Sequence, residues 1–387
     1  MSRAIVSVTN DLTTDQRVDR TCQTLVKAGY DVLLIGRRRK DSQTLAPRAY
    51  QMHRLRLLFD KGPLFYAEYN ITLFFFLLLH KYDLIVSNDL DTLPANYLAN
   101  QVKHPFPKIV NRKSKIVNSK FPVRHLHDCH EYFRGVPELI GRKSVTRTWK
   151  WIEDRIFPRL DHVIAVNQSI VDLYSNEYGK KITVIRNVPF MKPLDGLACK
   201  QDFHISGDQK IILYQGAVNV DRGLEEAVMA MKYLKTDAIL LIAGIGDVFE
   251  TLKKFTEDNG LSERVRFAGQ VPFEELHSIT LMADIGLSIE KDVSINYHYC
   301  LPNKFLDYIQ ANVPVLVSPF PEMKSIVDKY MIGEFIENHE PEALATKIDS
   351  MLQNPEKLTE YKRNLRKAAN DLCWENEENI LLFTIGE

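Results

Sequence analysis

Short apolar, β-branched runs that alternate with helical stretches are the feature that most constrains the fold of this chain. Runs of this kind lie at residues 4–8, 32–35 and 84–86, and the pattern resumes at 211–214 and 239–243. Such alternation is typical of strands that pair in parallel through helical connections. The sequence therefore predicts an α/β protein with parallel sheets.

The alternation lapses once, and the lapse predicts two domains. Residues 191–208 lack hydrophobic periodicity and are punctuated by proline and glycine. We predict a Rossmann-like N-terminal domain over residues 1–190, a linker over 191–208 and a Rossmann-like C-terminal domain over 209–365. A helical tail over 366–387 is a candidate to cross back to the first domain. Two doubly wound sheets would face a central cleft, and such sheets bind ligands beyond the carboxyl ends of their strands.

The cysteine content bears on compartment and metal chemistry. The chain has 5 cysteines, which are scattered and show no C-x-x-C spacing. This pattern argues against a disulfide framework or a zinc site and for a reducing compartment. The N-terminus shows no signal-peptide pattern before the first apolar run. We predict a cytoplasmic protein with no metal and no other cofactor.

The net charge of zero conceals an asymmetry between the two halves. Residues 1–190 carry 30 Lys and Arg against 18 Asp and Glu, and residues 101–127 hold seven basic side chains and no acidic one. Residues 37–40 add a second basic cluster. One interpretation is a solvated face; the other is attraction to phospholipid headgroups or to a phosphate-bearing acceptor. Few aromatic residues accompany the basic stretch, so nucleic acid is not a predicted partner.

The longest apolar run, at residues 73–79, is too short to span a bilayer by itself. A buried helix and a helix lying at a membrane surface are the two interpretations. Together with the basic N-terminal half, the run suggests peripheral contact with an anionic membrane on the inner face of the cell membrane.

Two glycine-containing turns in the C-terminal half are candidate phosphate cradles. Residues 216–223 join a strand to a helix, begin and end in glycine, and carry Arg222. Backbone N–H groups at such a turn can approach a phosphate, and an arginine adds a fixed cation. Residues 243–247, with Gly244 and Gly246, form a similar turn. An ordinary structural turn is the alternative for both.

The stretch at residues 301–315 carries the strongest single signal. Pro302 and Asn303 predict a helix start, which places Lys304 in the first turn and Asp307 on the same face. A cation in the first turn opposes the helix dipole, so an anionic ligand such as a diphosphate would compensate it. Asp307 could then accept hydrogen bonds from a ribose diol. The alternative is an amphipathic helix with a surface Lys/Asp pair.

Polar side chains after the N-terminal strands are candidates for contacts to a sugar or to the molecule that accepts it. The segment at residues 127–132 places His130 beside carboxylates, which suits general-base chemistry or hydrogen bonding to a sugar. We discount metal ligation because no further His or Cys lies at ligand spacing. A cluster of surface histidines without a function is the alternative. The predicted acceptor contacts are Asp15, Arg17, Asp89, Asp91, Asp128 and Glu131.

These segments together resemble family 4 of the GT-B-fold glycosyltransferases, which are retaining enzymes that use nucleotide sugars. Residues 216–223 resemble the family's donor-phosphate loop, with Arg222 at the basic position, and residues 243–247 resemble its second glycine turn. The sequence L-P-N-K-F-L-D-Y at 301–308 resembles the acidic motif, with Asp307 in place of glutamate. The segments D-Q-R-V at 15–18, N-D-L-D-T-L-P at 88–94 and D-C-H-E at 128–131 resemble those of one bacterial branch.

The resemblance implies a GT-B fold and a metal-independent hexosyltransferase. Such an enzyme moves a sugar from a nucleotide-diphosphate sugar to a glycan or lipid-linked acceptor in cell-surface polysaccharide or glycolipid synthesis. Arg222 and Lys304 would stabilise the leaving diphosphate, and His130 would contact the sugar or the acceptor hydroxyl. The remaining predicted donor contacts are Gly216, Gly244, Gly246, Glu290, Asn303 and Asp307.

Three departures from the family pattern affect the donor site. Ala217 stands where the family often has arginine, and Tyr299 stands eight residues before Asp307, where the family has glutamate. Glu290 is the nearby glutamate, and Asp307 is one methylene shorter than the family's residue. A nucleotide-sugar epimerase on the same scaffold and a non-catalytic nucleotide-sugar-binding protein are therefore the alternative functions.

Overall fold

The computed structural model describes residues 1–104, 124–136, 139 and 141–386, which form two compact units. The first unit comprises Met1–Asn187 and the C-terminal segment from Glu377 onward, and the second comprises Val188–Asn376. Most of the basic stretch predicted over residues 101–127 lies outside the described residues.

Seven parallel strands form the sheet of the first unit. They are β1 (Arg3–Ser7), β2 (Asp31–Arg38), β3 (Gln51–Arg56), β4 (Leu84–Asn88), β5 (Arg124–Cys129), β6 (His162–Ala165) and β7 (Thr183–Val184). The order in the sheet is β3-β2-β1-β4-β5-β6-β7. The progression of strands reverses at β1, and the carboxyl ends of β1 and β4 therefore flank a topological switch point.

In the part of the first unit that the structure describes, five α-helices lie in the connections between these strands, and capping residues explain where several of them begin and end. They are α1 (Gln16–Lys27), α2 (Gly62–Leu79), α3 (Asp89–Lys103), α4 (Lys143–Ile156) and α5 (Gln168–Tyr178). The Asp15 carboxylate accepts a hydrogen bond from the amide of Val18 and caps α1. Gly179 adopts a left-handed conformation and ends α5.

The second unit contains a six-stranded parallel sheet of the same design. Its strands are β8 (Lys210–Gln215), β9 (Ala238–Ala243), β10 (Val265–Gly269), β11 (Ile285–Ser288), β12 (Val315–Val317) and β13 (Gly333–Phe335). Their order is β10-β9-β8-β11-β12-β13, so the switch point lies between β8 and β11. The prediction of two Rossmann-like parallel-sheet domains is confirmed.

Helices cover both faces of this second sheet. They are α6 (Leu224–Ala230), α7 (Phe249–Asp258), α8 (Phe273–Leu281), α9 (Ile295–His298), α10 (Asn303–Gln310), α11 (Pro321–Tyr330), α12 (Pro341–Leu352) and α13 (Pro355–Asp371). The last helix, α14 (Trp374–Ile385), lies mostly in the segment from Glu377 onward, which belongs to the first unit. Two buried apolar clusters, one containing Leu213 and Leu241 and the other Ile212 and Leu240, receive alternate residues of β8 and β9. Both faces of these strands are therefore apolar, as parallel sheets require.

Two features of the first unit differ from the sequence-based expectation. The segment N-D-L-D at 88–91 has the polar composition of a loop, yet residues 89–91 form the first turn of α3. The edge strand β3 was not predicted, because Gln51–Arg56 is polar and most of its residues are exposed or half-buried. An edge strand that faces solvent needs little apolar pattern, so this part of the sequence gave no signal.

Candidate functional site

The carboxyl ends of β8 and β11 bring together the predicted donor-binding residues. The loop after β8 carries Arg222, and Glu290 lies two residues beyond the end of β11. Helix α10 begins at Asn303, so Lys304 stands in its first turn as predicted. These three segments meet at the switch point of the second sheet, which is where sheets of this kind bind ligands.

Arg222, Lys304 and Glu290 form what we call the cation cluster. The Lys304 ammonium lies 2.8 Å from Glu290 Oε1, and Arg222 Nη1 lies 3.5 Å from the same oxygen. Glu290 is fully buried and the Lys304 side chain is 7% exposed. Two cations thus share one carboxylate, and the cluster carries an excess of one positive charge.

The surroundings of the cation cluster keep Glu290 and Lys304 charged. Burial alone would raise the pKa of Glu290, but the charges of Lys304 and Arg222 hold it below its usual value. Burial would lower the pKa of Lys304, yet Glu290 raises it above its usual value. The two cations also lie over aromatic rings, Lys304 at 4.0 Å from the ring centre of Tyr214 and Arg222 at 4.7 Å from that of Tyr297.

Arg222 retains hydrogen-bonding capacity within this cluster. Its Nε is buried and finds no hydrogen-bond acceptor among the described residues. An unsatisfied buried donor is costly, and an anionic ligand beside Arg222 would remove that cost. The excess charge and the unused donor both favour an anion at this end of the sheet.

The predicted cradle glycines have a steric role in the turns that follow β8 and β9. A side chain at Gly244 would come within 1.9 Å of the Gly216 carbonyl, and one at Gly246 would meet the Val218 carbonyl at 2.4 Å. The amide of Gly216 donates to Ala243 and that of Gly244 to Gly269, so backbone partners engage both N–H groups. The glycines therefore allow the turns to pack closely beside the cation cluster.

Asp307 and Asn303 lie on α10 near the cation cluster. The Asp307 carboxylate accepts hydrogen bonds from Lys192 at 3.4 Å and from Gln215 at 3.2 Å. Asn303 is the exposed first residue of the helix. Tyr299 ends α9, and Ala217 follows Gly216 with its carbonyl accepting from Tyr214. Positions 217 and 299 are therefore uncharged, where the resemblance implies arginine and glutamate.

Sequence reasoning missed the residues that anchor α10. The Tyr308 hydroxyl donates to the carbonyls of Leu213 and Leu287, which belong to β8 and β11. A side chain at Gly286 would lie 2.5 Å from the Tyr308 ring, so this glycine makes room for the anchor. A glycine inside an apolar strand signals close approach of a neighbour, and that signal was available at Gly286.

The switch point of the first sheet gathers a second set of predicted residues around His130. Its Nε2 lies 3.0 Å from the amide oxygen of Asn88 and 3.4 Å from Asp128 Oδ2, and its Nδ1 lies 3.6 Å from Asp89 Oδ2. Among the residues that the structure describes, no group of His, Cys, Asp and Glu side chains is arranged to hold a metal ion. The site is therefore an imidazole between two carboxylates.

The carboxylates around His130 control its protonation. Burial would lower the pKa of His130, but Asp89 and Asp128 raise it to about 9, so the ring is a cation at neutral pH. Burial raises the pKa of Asp89, and burial with the nearby Asp89 charge raises that of Asp91 to about 7. Asp89 also has a left-handed backbone, with φ of 56°, at the start of α3. Such strain is typical of functional sites.

The predicted acceptor contacts differ in their accessibility. Arg17 and Asp128 form a buried pair with Nη2–Oδ1 at 2.7 Å, and Asp15 caps α1 while accepting from Asn10 at 2.8 Å. Asp91 accepts from the hydroxyl of Thr9 at 2.6 Å. Glu131 is exposed. The buried Arg17–Asp128 pair thus supports the framework that holds His130.

Two further histidines on β5 are buried and neutral. Ser87 Oγ lies 2.8 Å from His125 Nε2 and 3.0 Å from His127 Nδ1. Burial lowers the pKa of His125 to about 3 and that of His127 to about 4. In the unfolded chain a histidine has a pKa of about 6.5 and takes up a proton as the pH falls through that value. The folded protein keeps both buried rings neutral there, so a falling pH stabilises the unfolded state relative to the folded state.

We expect the His125→Asn/His127→Asn variant to lose less stability than wild type when the pH falls from about 7.5 to 5.5. Each buried ring should contribute about 1 kcal/mol to the acid sensitivity of the first unit over this interval. His130 has the opposite effect on stability over this interval. Its raised pKa keeps it protonated in the folded state at pH values where the unfolded state has lost that proton, so its contribution to stability increases as the pH falls. Urea unfolding at several pH values measures the difference. An unchanged dependence of stability on pH in the double variant would contradict the prediction.

Comparison with known proteins agrees with this arrangement of two α/β units. The sequence model described as Glycosyltransferase Family 4 matches residues 15–188, and the model described as Glycosyl transferases group 1 matches residues 198–368. The chain belongs to the group 1 glycosyltransferases. The predicted membership of this group is confirmed.

Two curated relatives of this glycosyltransferase are each 24% identical to it. One is the uncharacterized glycosyltransferase MJ1607 of Methanocaldococcus jannaschii, matched over 40% of this chain and 39% of that protein. The other is the GDP-mannose-dependent alpha-(1-6)-phosphatidylinositol monomannoside mannosyltransferase of Mycolicibacterium smegmatis, matched over 38% of this chain and 40% of that protein. The matches thus span about two fifths of the length of either relative.

A solved structure supports the fold of this glycosyltransferase along nearly its whole length. Sucrose-phosphate synthase from Thermosynechococcus elongatus superposes with a TM-score of 0.76 at 17% sequence identity, over 98% of this chain and 97% of that one. At this level of identity the likeness shows the fold alone. The GT-B prediction is confirmed.

Proposed function

We propose that this protein is a retaining, metal-independent glycosyltransferase that moves a sugar from a nucleotide-diphosphate sugar to a glycan or lipid-linked acceptor. The observation that carries the proposal is the convergence of Arg222 and Lys304 on the single buried carboxylate of Glu290. A cluster with an excess positive charge at a sheet switch point suits a diphosphate.

The cation cluster supplies what sugar transfer from a diphosphate needs. As the bond between the anomeric carbon and the diphosphate oxygen breaks, negative charge grows on the leaving group. Fixed cations in a buried setting stabilise that charge without reorganising. Because Arg222 and Lys304 supply two such cations, the proposal requires no metal ion. We propose a retaining reaction because the sequence resembles family 4. In such a reaction the acceptor hydroxyl attacks the anomeric carbon from the face that the diphosphate leaves, and a diphosphate oxygen takes the proton of that hydroxyl.

His130 is the proposed contact to the transferred sugar or the acceptor hydroxyl. As a cation it donates from both ring nitrogens, and Asp89 and Asp128 orient it. Asp89, Asp91 and Glu131 are the proposed acceptor contacts from the same end of the sheet. The strained backbone at Asp89 is consistent with a residue positioned for function.

The name of the relative from Mycolicibacterium smegmatis describes a GDP-mannose-dependent enzyme that acts on a phosphatidylinositol monomannoside. This similarity supports our proposal that the substrates of this chain are a nucleotide sugar and a lipid-linked acceptor. All five cysteines are free, which fits the proposed cytoplasmic location. We place the protein on the cytoplasmic side of a membrane, in the synthesis of a cell-surface polysaccharide or glycolipid.

Calorimetric titration with UDP-, GDP-, ADP- and dTDP-sugars tests the proposal. The wild-type protein is expected to bind at least one of them with a Kd below about 1 mM, and the Arg222→Ala/Lys304→Ala variant to bind it roughly 100-fold more weakly. The matched control is Lys253→Ala/Lys254→Ala, which removes two exposed lysines of the same unit and should bind as wild type does. Absence of binding to every donor would contradict the proposal.

Product analysis with the bound donor separates transfer from the alternatives. Slow release of free sugar and nucleoside diphosphate, without change at the sugar's C2 position, is expected of a transferase that lacks its acceptor. Conversion to an epimeric nucleotide sugar would instead identify an epimerase. Binding without any turnover, with or without candidate lipid acceptors, would identify a binding protein.

A further inference from the structure

Helix α2 has two apolar faces, of which the sheet buries one. Phe65, Tyr69, Leu73 and Leu77 recur every four residues and are at most 4% exposed. They belong to a core cluster that includes residues of β1, β2 and β4. This inner face explains why α2 packs on the sheet, but it accounts for only part of the helix's apolar surface.

The outer face of α2 is apolar as well as exposed. Leu64, Ile71, Phe75 and Leu79 are 59%, 58%, 58% and 83% exposed. Just before the helix, Leu58 and Phe59 add exposed fractions of 88% and 43%. A helix on a protein surface normally turns charged or polar residues to water, so such a face indicates an interaction site.

Glu68 is the one charged residue within α2, and its carboxylate holds the loop that precedes the helix. Glu68 accepts hydrogen bonds from the amide of Leu58 at 2.9 Å and from that of Phe59 at 2.9 Å. Its carboxylate thereby fixes the preceding loop, with the side chains of Leu58 and Phe59 exposed. Glu68 stands between Leu64 and Ile71 at helical spacing, so the outer face carries this one carboxylate, held by the two amides, and no other charged residue of α2.

Basic residues lie at both ends of this apolar face. Lys61 precedes the first residue of α2 and Lys81 follows its end by two positions, and both are exposed. Arg38 and Arg56, paired across the ends of β2 and β3, are also exposed. The neighbouring Arg37 donates to the Asp60 carbonyl at 2.9 Å, which ties this basic strand end to the start of α2.

Helix α2 is long and apolar enough to cross a membrane by length and composition. Its hydrogen bonds to the rest of the unit argue against spanning. Asn70 donates to the Asp91 carbonyl at 2.8 Å and accepts from the Ala95 amide at 3.0 Å. A spanning helix would have to leave the sheet and expose its inner face together with these polar contacts, whereas a helix lying on the surface keeps them.

We propose that the outer face of α2, together with Leu58 and Phe59, docks on an anionic phospholipid surface. The apolar side chains enter the boundary between headgroups and acyl chains, and the lysines and arginines at the two ends lie at the level of the phosphates. The inference extends the proposed function by naming the surface through which the protein reaches a lipid-linked acceptor.

Vesicle co-sedimentation of the full chain tests this proposal. Phosphatidylcholine vesicles with roughly a third of phosphatidylglycerol should retain the wild-type protein, with weaker retention on pure phosphatidylcholine and at high salt. The Ile71→Ser/Phe75→Ser variant is expected to bind the anionic vesicles at least about tenfold more weakly. The matched control, Leu194→Ser/Leu197→Ser, changes two exposed leucines of the second unit and should bind as wild type does.

Two further measurements keep the outcomes distinct. Circular dichroism and nucleotide-sugar binding of the Ile71→Ser/Phe75→Ser variant should match wild type, which separates a failure of docking from a failure of the proposed function. Lack of wild-type binding to anionic vesicles, or equal binding by the variant, would overturn the proposal. A dimer that dissociates on Ile71→Ser/Phe75→Ser substitution, without a change in vesicle binding, would assign the face to a second copy of the chain and would also overturn it.

Discussion

Replacing Lys304 by methionine is expected to weaken binding of the nucleotide-sugar donor by about 100-fold and to lower turnover by about 100-fold or more. The Lys304 ammonium is buried, lies 2.8 Å from Glu290, and is one of the two cations of the cluster. Without Lys304, the charges of Arg222 and Glu290 cancel, and the cluster loses the excess positive charge that would attract a diphosphate. Loss of one preorganised charge at a reacting group costs factors of this size. Titration with a nucleotide sugar that binds the wild-type protein measures the change in Kd.

The stability of the Lys304→Met variant needs its own control, because the substitution leaves Glu290 buried with only Arg222 at 3.5 Å. Breaking a buried ion pair on one side lowers the free energy of unfolding by about 3–5 kcal/mol. The Lys304→Met/Glu290→Gln variant removes both charges and should recover most of that lost stability. Arg222 then restores the cluster's excess of one positive charge, but donor binding should stay weak because the diphosphate lacks the direct contact with the Lys304 ammonium. This pattern distinguishes a binding role from a purely structural one.

A surface lysine provides the matched comparison for Lys304. Lys324 pairs with Asp328 on α11 and is half exposed, so Lys324→Met should change neither donor binding nor thermal stability measurably. If folded Lys304→Met protein bound the donor within about threefold of wild type, the assignment of the cation cluster to the diphosphate would be wrong.

The sequence predicts the residues of the cation cluster better than it predicts the surroundings of His130, because the signals for Arg222 and Lys304 are local. Arg222 and Lys304 each stand beside a helix start that glycine or proline marks, so a short window of sequence contains the signal. Glu290 was expected to contact the donor, but its position between the two cations depends on β11 lying next to β8 in the sheet. That pairing joins distant segments, and no local pattern encodes it.

The N-terminal strands show a second limit of local reasoning. Strand β5 contains His125, His127 and Asp128, and polar residues at buried positions conceal a central strand from any reading of hydrophobic pattern. Likewise, Asp89 and Asp91 resemble a loop by composition, although they open α3. Functional sites are where local preference and final structure are expected to disagree, because their polar groups are placed for chemistry rather than for packing.

The Arg17→Met substitution is expected to destabilise the first unit more than any surface change. The Arg17 guanidinium donates from Nε at 2.9 Å and from Nη2 at 2.7 Å to the fully buried Asp128 carboxylate, and from Nη1 at 2.7 Å to the carbonyl of Ile185. Removing it leaves a buried carboxylate whose remaining cation is His130. We expect the free energy of unfolding to fall by about 3–5 kcal/mol, which corresponds to a loss on the order of 10 °C in thermal midpoint.

The pH dependence of this loss identifies its cause. Arg17 holds the pKa of Asp128 well below its usual value against the effect of burial, so the pair contributes stability above about pH 4 and loses it as the pH falls further. The gap between wild type and Arg17→Met should therefore narrow in acid, where the unpaired carboxyl takes up a proton. A Lys27→Met control breaks the exposed pair with Glu378 and should cost at most about 0.5 kcal/mol at any pH. A gap between wild type and Arg17→Met that stayed constant down to pH 3 would mean that lost packing, and not the unpaired charge of Asp128, destabilises the variant.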